Sequence, residues 1–180
     1  MRSRSAALLA AGLICVVSTT YLACAEDKEG KEGKEDQAAL ARALQGVTTT
    51  LEQGLAASEG SGTPISGKFE LEAGKLQLSV YTMKGDQFAE VVVDHTTGRV
   101  AKTEAITGGD DLAAAKSQSA AVSTAKRTLR EATEHAVGSN AGSRAVSVIA
   151  ARVGDGNSPP VARITLLQGQ TFKIVTEPLN

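Results

Sequence analysis

The sequence predicts an α+β protein whose mature part holds two tandem modules, each a helix packed on a small antiparallel β-sheet. Three observations carry this prediction. Apolar residues recur at spacings of three and four, runs of strict alternation are broken by glycine turns, and the second half replays the order of the first.

Leu40, Leu44, Val47, Leu51 and Leu55 fall on one face of a helix from about Gln37 to Ala57, which Gly60, Gly62 and Pro64 end. Alternation follows. Ile65, Gly67, Phe69 and Leu71 point one way and Ser66, Lys68, Glu70 and Glu72 the other, as a half-buried strand requires. Ala73-Gly74 is a short turn, and Lys75 to Met83 repeats the pattern with Leu76, Leu78 and Val80 inward. After a turn at Lys84-Gly85-Asp86 comes a third strand, Phe88 to Val93, apolar on both faces and therefore central or covered. It ends in Asp94-His95-Thr96-Thr97-Gly98-Arg99-Val100. There Asp94 can accept hydrogen bonds from the turn's own amides, and Gly98 can supply the positive φ of a bulged hairpin. Both residues thus have a sufficient structural role.

In the second half Asp110 or Asp111 can cap a helix with Val122, Ala125, Leu129, Ala132 and Ala136 in one stripe. Gly138 and Gly142 break it, and strands follow at about Ser143–Val153, Val161–Leu167 and Thr171–Thr176. Met83-Lys84-Gly85-Asp86-Gln87-Phe88 aligns with Leu167-Gln168-Gly169-Gln170-Thr171-Phe172, an internal repeat at an offset of roughly 84 residues. The modules are placed at 37–107 and 108–180.

The amino-terminal segment predicts an address. Arg2 and Arg4 precede an uncharged apolar run, Ala6 to Val17, too short for the roughly 20 residues of a bilayer span. Ala23 and Ala25 are small residues at the positions a signal peptidase reads, so residues 1–25 read as a signal peptide and Glu26 as the first mature residue. The alternative is a lipoprotein anchored through Cys24, although Tyr21 stands where such a signal has a leucine-like residue. Cys15 and Cys24 both lie in this leader, so cleavage after Ala25 leaves no thiol for a disulfide, a nucleophile or a metal site. Residues 26–36, EDKEGKEGKED, cannot bury apolar surface and read as a charged linker.

Of the 180 residues, removal of the leader leaves about 155, enough for one medium domain or two small ones. Aromatic residues make up only 3%, without tryptophan, so the core is built from Leu, Val, Ile and Ala. A formal net charge of −1 lacks the basic footprint of a nucleic-acid binder.

From Leu51 to Val100 the order of helix end, strand, strand, glycine turn and strand, closing on "VVVDHTTGRV", resembles the PepSY module, whose third strand leads into an Asp-x-x-Thr-Gly-Lys/Arg-Val turn. Asp94, Thr97, Gly98, Arg99 and Val100 match that motif. The second half follows more loosely and ends at Asn180 without the Thr-Gly-Arg turn. The resemblance implies a non-enzymatic module found outside the cytoplasm, with a role in restraining peptidases. It carries over no catalytic residue.

The chemistry-bearing residues agree with a non-enzyme. His95 lies in a turn and His135 late in a helix, neither with an evident partner in sequence. Ser61 and Ser66 lack a nearby base, no phosphate loop, HExxH or GxSxG is present, and Asp155-Gly156-Asn157 runs into Ser158-Pro159-Pro160, which breaks calcium-loop spacing. No catalytic, cofactor-binding or metal-binding residue is assigned. The function that the resemblance implies is binding and inhibition of an extracytoplasmic peptidase or another envelope protein, in the periplasm or secreted, and no cofactor or nucleic acid is expected. A membrane enters only through lipidation at Cys24. The alternative is a periplasmic carrier or sensor of a small apolar ligand held between helix and sheet.

Overall fold

The apolar stripe from Leu40 to Leu55 lies on two helices rather than one. The structure, a computed structural model, describes residues 34–153 and 158–180, and in it α1 covers 34–43 while α2 is Leu51–Ser58. Gly46, at φ +81°, turns the chain after α1. Thr50 then starts α2 with a capping box: its hydroxyl accepts from Gln53 N at 3.2 Å, and Gln53 Oε1 accepts from Thr50 N at 2.9 Å. The second stripe is split in the same way, into α3, Gly109–Val122, and α4, Leu129–Gly138. Thr128 and Glu131 form the second capping box. An N-cap residue has extended backbone, so each Thr-x-x-Gln/Glu fixes a helix start where periodicity alone continues.

The strands are β1, Thr63–Glu72; β2, Lys75–Lys84; β3, Gln87–Val93; β4, Val100–Ile106; β5, Arg144–Arg152; β6, Pro160–Gln168; and β7, Thr171–Pro178. All join in one antiparallel sheet of order β4-β3-β2-β1-β5-β6-β7. The fold is therefore α+β. β3 is internal, with partners on both sides, which accounts for its apolar run. β4 has no such signal and was not anticipated from sequence.

Two apolar clusters occupy the two faces. A Cβ at Gly67 would stand 3.3 Å from Leu51 and Leu55, so α2 covers that face of β1. The neighbouring Ser66 donates to Gln118 of α3 at 2.8 Å. Adjacent strand residues point to opposite faces, which puts this part of α3 across the sheet from α2. The main core unites Leu51, Leu55, Phe69, Leu78, Val80 and Val91 with Leu129, Val148, Ile164 and Leu179, so it runs through both halves. The smaller cluster holds Ile65, Phe88 and Ala115 of α3. Ile65 departs from the expected inward set because a bulge between Pro64 and Ser66 turns it away from Phe69's side.

The two half-sheets pair alike. Gly67 faces Val80 and Val148 faces Ile164; Val80 faces Val91 and Ile164 faces Val175. The hairpins close identically, Met83 opposite Phe88 and Leu167 opposite Phe172, around Gly85 at φ +61° and Gly169 at φ +63°. A second bulge, between Ala145 and Ser147, matches the one in β1. Gly67 and Val148 then face each other across the seam where β1 meets β5.

Candidate functional site

The Asp94–Val100 loop decides how the sheet ends. Asp94 Oδ1 accepts from Thr97 N at 2.7 Å and Thr96 N at 2.9 Å, while Asp94 O accepts from Gly98 N at 2.8 Å and Asp94 N donates to Arg99 O at 2.9 Å. The Thr97 and Thr96 amides hold the Asp94 carboxyl below its ordinary pKa. Gly98 sits at φ +69°, and the side chains of Thr97 and Arg99 face solvent. This loop returns the chain through a register shift at Val92/Val93 and launches β4 alongside β3.

β4 is an open edge. Among the described residues it pairs on one side only, with β3, and every residue from Val100 to Ala105 is exposed. Its outer backbone donors and acceptors are those of a strand awaiting a partner. Lys102 and Glu104 pair at 2.7 Å with both side chains more than half exposed, a contact worth little to stability. The opposite edge, β7, is tied down at its end. Pro178 lacks an amide donor, buried Leu179 accepts at its carbonyl from the Lys126 and Arg127 amides, and Arg127 Nη1 donates to Pro178 O.

A second feature lies between α3 and the central strands, a cleft of about 270 Å3 lined by Ser66, Lys68, Tyr81, Asp111, Gln118 and Ile149, among others. Lys68 Nζ pairs with Glu70 at 2.6 Å and stands 5.8 Å from the Tyr81 ring centre. Burial works against the Lys68 ammonium, but the hydrogen bond to Glu70 and the nearby negative charges outweigh it and raise its pKa. Burial likewise raises the Tyr81 phenol.

His95 lies in the loop that follows β3, and Ser66 donates to Gln118 rather than to a histidine. His135 does have a partner, contrary to the reading from sequence: its Nδ1 lies 2.8 Å from Glu177 Oε2, joining α4 to β7. Among the described residues no three His, Cys, Asp or Glu side chains are placed to hold a metal ion, and no helix is long and apolar enough to cross a membrane. Cys15, Ala23, Cys24, Ala25 and Asp155-Gly156-Asn157 lie outside the described residues.

Sequence reasoning missed Arg144. Its guanidinium donates to Leu44 O at 3.0 Å and to Val47 O and Thr49 O at 3.1 Å, and lies 5.4 Å from the Phe69 ring centre, so β5 clamps the connector between α1 and α2. No spacing marks such a contact, because its acceptors are backbone carbonyls far away in the chain. In comparisons with known proteins the chain matches no family model, no curated protein and no solved structure.

Proposed function

We propose that the protein is a non-catalytic, exported PepSY-type protein that binds an extracytoplasmic peptidase or another envelope protein and restrains it. The observation that carries this reading is the open edge of β4, exposed from Val100 to Ala105 and delivered by the Asp94–Val100 turn on which the PepSY resemblance rests. An extended segment of a partner can add there as an eighth strand, with affinity from main-chain hydrogen bonds. The matching registers of the two half-sheets support the division into two repeats. Export rests on the leader. Mass spectrometry of the protein recovered from cells should find Glu26 at the amino terminus, whereas an acylated Cys24 would make the protein a membrane-anchored lipoprotein.

The test is inhibition. Peptidases of the same envelope should hydrolyse a reporter peptide more slowly in the presence of the protein, which should itself stay intact. Adjacent amides of a strand point to opposite sides, so one of Lys102→Pro and Thr103→Pro removes an outward donor and the other breaks pairing to β3. The first should weaken inhibition with the fold retained. The cleft under α3 supports a second reading, a carrier of a small ligand. A protein that leaves every envelope peptidase unaffected, yet gains thermal stability with a fatty acid, would favour the carrier.

A further inference from the structure

Resting on the edge reading, we infer that the segment accepted by β4 carries a bulky apolar side chain next to an acidic one. A groove of about 600 Å3 runs beside the carboxyl-terminal half of β4, lined by Phe88, Ala105, Ile106 and Leu112 together with Lys84 and Lys116. Ala105 and Ile106 belong to β4 itself, so the groove is continuous with the path of an added strand. Successive residues of that strand advance about 3.3 Å and alternate between faces. One or two of its side chains would therefore pass over the groove. Phe88 is buried, and Ile106 and Leu112 pack against the cluster that contains it, which gives the groove a firm apolar floor.

The charge at the groove selects the neighbour. Lys84 and Lys116 are exposed, and neither forms an ion pair among the described residues. Asp86, also at the groove, offsets one of them, so the lining keeps an excess positive charge. On β4 itself Lys102 is already matched by Glu104. An acidic residue beside the apolar anchor is thus favoured and a basic one disfavoured, an effect that salt screens within about 10 Å.

The experiment uses a fluorescent nonapeptide of threonine with a central leucine flanked by glutamates, measured by anisotropy against the full protein, with hydrogen exchange reporting on β4. The parent peptide should protect the β4 amides. Leucine to glycine should weaken it about tenfold or more, and glutamate to lysine roughly two- to fivefold at low salt only. The Lys84→Glu, Lys116→Glu double variant, at two exposed positions, should reverse the charge preference. If all three peptides protect β4 with equal affinity, the groove inference is overturned while edge pairing stands. If no peptide protects β4, the edge reading itself fails.

Discussion

Asp94 and Gly98 show how much of a loop two residues can set. The two amides that donate to Asp94 favour the carboxylate, so its native pKa lies below the unfolded value. Such a group contributes stability that is present above the unfolded pKa and is lost as the pH falls through the native one. Asp94→Ala should therefore destabilise the protein at neutral pH, and the gap to the parent in urea titrations should close below about pH 4. A gap that is constant with pH would mean that the carboxylate does not hold the turn. At Gly98 the nearest atom to an added Cβ is Thr49 Oγ1 at 3.8 Å, so space is not the obstacle. The φ of +69° is. Gly98→Val should cost about 1 to 3 kcal/mol in the same titration through backbone strain alone.

Helices and strands meet here with little tolerance at one point and ample room at another. Gly54 of α2 lies against β2, where an added Cβ would come within 2.6 Å of Leu78 Cδ2, and Leu78 is fully buried. Gly138, at the end of α4, would meet nothing within 4 Å. Alanine gains up to about 1 kcal/mol over glycine in a helix, but overpacking a core costs about 1 to 3 kcal/mol. Gly54→Ala should therefore lower stability and Gly138→Ala leave it unchanged or raise it, as thermal melts of the two variants would show. The capping boxes act at this scale too. Thr50→Ala and Thr128→Ala should each cost about 1 kcal/mol by freeing the amide of Gln53 or Glu131.

Across the whole molecule, one sheet and one main core serve both halves. Leu51 and Leu55 from the first half share that core with Leu129, Ile164 and Leu179 from the second. Neither half can expose its face without uncovering the other's. Denaturant unfolding should accordingly be a single transition, with exchange probes in β2 and β6 reporting the same midpoint. Two separated midpoints would show that the seam, only Ser66 to Lys68 against Ser147 to Ile149, is too weak to couple the halves.

The fold class and most strands were legible in the sequence because they follow from local periodicity: alternation in β1 and β2, the apolar run of β3, and glycines where hairpins close. The turn residues Asp94 and Gly98 were legible for the same reason, since their partners are amides within a few residues. The helix breaks were encoded in Thr50-x-x-Gln53 and Thr128-x-x-Glu131, but the apolar stripes continue through them and hide them. β4 was not legible, because an edge strand with neither face buried needs no alternation and its only specification is the backbone of β3. Arg144's clamp, the His135–Glu177 contact and the groove beside β4 join residues distant along the chain. Tertiary structure alone decided them, since pairing across such separations depends on which strands become neighbours, and that is settled by the shared core and not by any local pattern.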